Sequence, residues 1–199
     1  MKKKMVKKTV ALFLAAGLLA TLTACTASSS SSTESYKTVN GVTEGKASSS
    51  TSDKGSAGFE VSGNHVQMTN FAFDADESLF VQAEIVEEDL VFTRVLVHDG
   101  EDTIQHIADG HYPETFTPEN AADSMNAIYQ IVLGADDAPV TDDYITEDSG
   151  VLYTIMDLSD GQVALLLKEG SDEYVLAAVT TMDFGSQDII DAAFAALAE

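Results

Sequence analysis

Beyond residue 58 this chain carries 30 acidic side chains and only two basic ones, Arg94 and Lys168. Two cations cannot neutralise 30 carboxylates. Nearly every acid must therefore face water, and any fold there must be held by apolar burial. Mutual repulsion of the carboxylates also works against compaction. The imbalance narrows the partners as well. Nucleic acid and anionic lipid headgroups are repelled. Cations, basic peptides or proteins, and neutral surfaces remain.

Apolar patterning in this stretch divides it into strands and helices. Phe59 to Ser62 and His65 to Met68 flank Gly63-Asn64, a hairpin pattern, and Phe71 and Phe73 continue a strand. Ser78 to Val86 alternates Leu79, Val81, Ala83 and Ile85 with Phe80, Gln82 and Glu84. Leu90 to His98 is apolar on both faces, and Glu87-Glu88-Asp89 joins the two as a tight antiparallel hairpin. Arg94, on the face of Leu90, Phe92 and Leu96, predicts a structural ion pair. The spacing of Ile104, Ile107 and Ala108 predicts a short helix over Asp102 to Asp109. Thr117-Pro118-Glu119 reads as a helix start: a capping hydroxyl, proline at the first helical position, an acid in the first turn. Ala121, Met125, Ile128 and Val132 recur at helical spacing, and Gly134 is a stop.

An acidic loop, Ala135 to Gly150, leads to three strands at Val151 to Asp157, Gln162 to Lys168 and Tyr174 to Met182. Ser186 then caps a last helix, with Ile190, Phe194 and Leu197 turned inward. Short turns join neighbouring strands. The predicted class is α+β: an antiparallel sheet of about six to seven strands with two to three helices, including a C-terminal helix. This order of elements is similar to that of the PsbP/Mog1-like fold. A cystatin-like or NTF2-like sheet is nearly as compatible, and fold analogy does not deliver function.

The beginning of the chain reads as an address. Lys2, Lys3, Lys4, Lys7 and Lys8 precede an apolar run from Val10 to Ala20. A basic end followed by about ten apolar residues is the pattern of a secretory signal, and a spanning helix needs about 20. Leu22-Thr23-Ala24-Cys25 comes next: a branched apolar residue, two small residues and the only cysteine. This segment resembles the lipobox of bacterial lipoproteins. The resemblance implies that residues 1–24 are cut off as a signal peptide and that the Cys25 thiol carries lipid. The mature chain is then anchored to the outer face of a membrane. As the only cysteine, Cys25 leaves the domain no disulfide, no thiol nucleophile and no cysteine-based zinc site.

Residues 25–58 hold the runs Ser28 to Ser32 and Ser48 to Ser52, broken only by Thr51. Such a stretch is too polar to bury a core and reads as a flexible linker with a reach of about 30 Å. Tyr36 to Thr43 carries an Asn-Gly turn, but a lone two-stranded hairpin is marginal in water. Residues 59–199, about 140 in number, make a single domain of ordinary size.

Chemistry is sparse. His98, His106 and His111 are three of the four histidines. On the predicted helix Asp102, His106 and Asp109 share one stripe. Together with His111 they form a candidate site for a divalent cation. A solvated polar face opposite Ile104, Ile107 and Ala108 explains the same stripe without metal. Carboxylates also cluster at Asp74 to Glu77, Asp136-Asp137, Asp142-Asp143, Glu147-Asp148 and Asp157 to Asp160. None has the EF-hand spacing. The chain has no H-E-x-x-H, no G-x-S-x-G elbow, no phosphate loop and no dinucleotide fingerprint. No catalytic residue is nominated and no cofactor is expected, a divalent cation being the open alternative. The expectation is a membrane-tethered, extracytoplasmic lipoprotein serving as a non-catalytic interaction or accessory module of the cell envelope. Its partners are the membrane, through the lipid on Cys25, and an envelope protein or a cation. The alternatives are a protein that binds calcium or a transition metal and a hydrolase of unrecognised type.

Overall fold

A computed structural model of the protein describes residues 36–38, 45–47, 57–158, 161–180 and 185–199. The stretch read as a signal, Cys25 and most of the stretch read as a linker lie outside these residues. The chain forms β1 (Tyr36–Thr38), β2 (Gly45–Ala47), β3 (Phe59–Ser62), β4 (His65–Gln67) and β5 (Ala72–Asp74). A long meander follows: β6 (Phe80–Glu87), β7 (Val91–His98) and β8 (Thr103–His111). Helix α1 (Ala121–Leu133) leads to a second, β9 (Thr146–Asp148), β10 (Val151–Leu158), β11 (Gly161–Lys168) and β12 (Glu173–Val179). Helix α2 (Ser186–Leu197) comes last.

The two long meanders join where β8 pairs with β12. The result is one sheet in the order β1-β6-β7-β8-β12-β11-β10-β9, antiparallel throughout. Strands β2 to β5 form a second, smaller antiparallel sheet. The class is α+β with a C-terminal helix, as the patterning predicts, and the division into two sheets is additional. Strands β1 and β2 fall in the stretch read as linker. Tyr36 to Thr38 pairs with Ala83 to Val81 of β6.

The large sheet is covered on both faces, which is why β7, β11 and β12 read as nearly continuous apolar runs. On one face α1 sets Met125, Ile128 and Val132 against Phe92, Ala108, Leu165 and Leu176. On the other, the small sheet and α2 set Val66, Phe73, Ile189 and Ala193 against Val95, Ile107, Ala164 and Val175. Each of the larger of these side chains, from valine to phenylalanine, stabilises the fold by about 1.5–3 kcal/mol on burial.

Strand β8 replaces the helix predicted over Asp102 to Asp109. A strand covered on both faces needs no alternation, so its apolar residues can fall at helical spacing by coincidence. Ile107 packs toward the small sheet and Ala108 toward α1. Close packing against β7 also fixes Gly110. A Cβ there would lie 3.0 Å from the Val91 carbonyl oxygen and 3.1 Å from Phe92 Cβ.

Both helix starts shift as well. Helix α1 begins at Ala121 and not at Pro118. Asn120 Oδ1 accepts the Thr117 amide at 2.8 Å, and the Asn120 amide donates to the Thr117 carbonyl at 3.2 Å. These bonds close a turn over Pro118 and Glu119. Gly134 ends α1 in the left-handed conformation, φ 63°, as expected of a helix-terminating glycine. Ser186 is the first residue of α2, and the N-cap position falls on Gly185. Gln105 Nε2 of β8 donates to the Ser186 hydroxyl at 3.1 Å, which ties α2 to the large sheet.

Candidate functional site

The four candidate metal ligands all lie on or beside β8, and the strand separates them. Asp102 is exposed in the turn before β8, where Asp99 Oδ1 accepts the amides of Glu101 and Asp102 at 2.9 Å each. Within a strand successive side chains take opposite faces. His106 therefore stands in a row with Leu96 and Ala178, and Asp109 in a row with Thr93 and Val175 on the other face. His111 shares the face of Asp109, but its Nδ1 lies 3.0 Å from Asp172 Oδ1. The stripe drawn on a period of 3.6 residues is dispersed by a period of two. Among the described residues no group of three or more His, Cys, Asp or Glu is placed to hold a metal ion.

Asp109 is instead the centre of a buried polar cluster. Its side chain is fully buried. The carboxylate accepts the Asn70 amide at 2.6 Å and the Thr69 amide at 3.3 Å, both from the turn between β4 and β5. Thr69 Oγ1 and Thr93 Oγ1 lie 3.0 Å apart, and Thr93 Oγ1 donates to the Gly58 carbonyl at 2.9 Å. Asn70 Nδ2 donates to the Gly110 carbonyl at 3.1 Å. The cluster thus pins the small sheet, and the chain entering it at Gly58, to the middle of the large sheet. Burial pushes the Asp109 carboxyl up to about 7, against the pull of the Asn70 and Thr69 amides. A shifted carboxyl in a cleft is a candidate acid or base. Here both oxygens are held by backbone amides, which gives the group a structural task.

On the opposite face His106 is largely buried and lies in the field of Arg94. Desolvation first, and that charge second, hold its imidazole down to about 4, so it is neutral near pH 7. Arg94 Nε donates to Glu84 Oε1 at 2.7 Å, and Arg94 Nη2 reaches the same oxygen. The predicted structural ion pair is present. It joins β7 to β6 at the row Glu84–Arg94–Ala108.

A feature that strand patterning misses lies at the far edge of the sheet. Strand β9 covers only Val151 to Tyr153 of β10. Beside the uncovered part, a cleft of about 190 Å³ opens between α2 and the outer strands. Tyr153, Ile155, Leu166, Ile190 and Phe194 line it, with Asp148 and Asp191. The Tyr153 and Phe194 rings meet edge to face with centroids 5.6 Å apart. Sites for small molecules start at about 300 Å³, so this cleft suits one side chain better than a whole ligand. The exposed large apolar residues among those described are Tyr144, Ile155 and Leu158, and all three fall between residues 144 and 158. The sequence does show apolar residues at 155 and 158, but strand order, which decides that β10 lies near an edge, is not written in any local pattern.

Comparison with protein-family models, with curated proteins and with solved structures gave no match.

Proposed function

We propose that this chain is a lipid-anchored, extracytoplasmic protein of the cell envelope whose acidic α+β domain is a non-catalytic interaction module. The observation that carries the anchoring is the segment from Lys2 to Cys25: a basic end, a short apolar run, then Leu22-Thr23-Ala24-Cys25. Two or more acyl chains hold a protein stably on a bilayer, where one is marginal. Support for an interaction role comes from how the unusual side chains are used. Asp109 holds two backbone amides and Arg94 holds Glu84. Among the described residues the large apolar side chains left exposed, Tyr144, Ile155 and Leu158, fall instead within one short stretch that ends in β10. An excess of carboxylates keeps the rest of the surface soluble and non-adhesive beside anionic lipid.

The anchoring is tested by metabolic labelling with a palmitate analogue followed by membrane fractionation. The wild-type chain is expected in the membrane fraction with label. Cys25→Ala is expected without label and without stable membrane association. Unlabelled wild-type protein in the soluble fraction would refute the reading.

A further inference from the structure

We propose that the outer edge of β10, from Ile155 to Leu158, docks an extended basic segment of a partner protein, which joins the large sheet as an added strand. This rests on the interaction-module reading and names the class of partner.

The backbone carries the first part of the argument. Ser149 and Gly150 have φ of 52° and 76°, the two left-handed residues of a tight hairpin turn. Such a turn makes Asp148 and Val151 a hydrogen-bonded pair. Alternation then directs the amides and carbonyls of Val151, Tyr153, Ile155 and Asp157 outward, toward the β9 side. The Leu158–Gly161 pairing at the other end sets the same phase, since Leu158, Met156, Thr154 and Leu152 face β11. Strand β9 takes Val151 and Tyr153. Among the described residues no strand takes Ile155 and Asp157.

Side chains carry the second part. Natural sheet edges are usually blunted by lysine, proline or a bulge. This one presents Ile155 at 46% and Leu158 at 44% exposure, with Tyr144 at 66% two residues before β9. Ile155 also forms a wall of the cleft beside α2. An added strand would send one apolar side chain into that cleft, between Ile155 and Phe194.

Charge selects the occupant. Asp148 and Asp191 line the cleft, and Asp157 lies on the edge itself. A second copy of this chain would bring the same carboxylates face to face, and like charges across a strand pair destabilise it. A partner rich in lysine or arginine meets complementary charge. Its main chain supplies the pairing, and the cleft supplies selectivity.

The test uses the mature chain purified from membranes in detergent and a short fluorescent peptide of the pattern Lys-Thr-Val-Thr-Lys, which as a strand puts the valine and both lysines on the cleft face. The peptide is expected to bind and to slow hydrogen exchange at the Ile155 and Asp157 amides. Ile155→Lys is expected to weaken binding about tenfold at an unchanged melting temperature. The exchange measurement stands without any variant. Equal binding of the same peptide interrupted by proline would mean charge attraction alone and overturn the proposal. So would an absence of protection at these two amides, or self-association of the chain that protects them without peptide. If Cys25 is lipidated and the peptide fails, only this inference falls. If Cys25 is unlipidated and the peptide binds, only the anchoring falls.

Discussion

Asp109→Ala is expected to lower the stability of the domain by about 2–6 kcal/mol, from about 1–3 kcal/mol for each of two backbone amides left buried without an acceptor. Against a total stability of about 5–15 kcal/mol for a typical domain, this is a large fraction. The amides belong to Thr69 and Asn70, in a half-buried turn, so partial access of water places the cost toward the lower end of that range. Asp109→Asn keeps one acceptor oxygen and is expected to cost less, and it also removes a titration. The carboxyl is raised to about 7 in the folded state, against about 3.9 unfolded. The folded chain therefore holds the extra proton between about pH 4 and 7, and this contribution is lost as pH rises through that window.

His106 has the opposite sign. Its folded value of about 4 lies below the unfolded 6.5, so its contribution is lost as pH falls from 6.5 toward 4. In the wild type the two slopes nearly cancel over that range. In Asp109→Asn the His106 slope is exposed, and the variant is expected to lose stability on acidification relative to wild type. Urea unfolding of both proteins at several pH values between 4 and 7 measures this. Parallel curves would mean that Asp109 does not hold a buried proton.

Gly161→Ala is expected to cost about 3 kcal/mol or more, at or above the top of the usual range for overpacking. A Cβ at this position would collide with the Val179 carbonyl oxygen and lie 2.9 Å from Thr180 Cα. Both are backbone atoms of the neighbouring chain, so no side-chain rotation relieves the clash. The ends of β11 and β12 would have to part where Gln162 pairs with Val179. Gly63 and Gly170 make a useful contrast. Their φ of 62° and 74° strains an alanine, but a Cβ there meets nothing within 4 Å. Alanine at either is expected to cost about 1–2 kcal/mol. Urea midpoints of the three variants give the comparison, and a Gly161→Ala midpoint equal to wild type would contradict the β11–β12 register.

The elements that face one apolar layer and one polar layer were readable. Strand β6 alternates as it must at the flank of the sheet, and Met125, Ile128 and Val132 mark the buried stripe of α1. Strand β8 was not readable, for a physical reason. It lies in the middle of the sheet, where neither face is solvent, and the constraint that produces alternation is absent. Its two informative polar residues mislead for the same reason. Asp109 and His106 look like one solvated stripe, yet each is buried on a different face by a layer formed elsewhere in the chain. Asp109 could be recognised as structural only once Thr69 and Asn70, 40 and 39 positions earlier, were brought to it. The open edge of β10 is likewise a property of strand order, set by the pairing of β8 with β12 and by the shortness of β9.

The scarcity of basic residues has a further consequence, for how the domain meets proteases. Trypsin-like proteases cleave after lysine or arginine. Beyond residue 58 they find only Arg94, in the middle of β7 and bound to Glu84, and Lys168, the last residue of β11, 3.6 Å from Glu173. Both lie within paired strands, which a protease reaches only through local unfolding. Lys37, Lys46 and Lys54 precede the domain. Lys37 and Lys46 lie in β1 and β2, themselves paired with β6 and β3, so a protease of this class is expected to cut within these strands and the domain only where they open locally. A limited digest ending on one stable acidic fragment would show it.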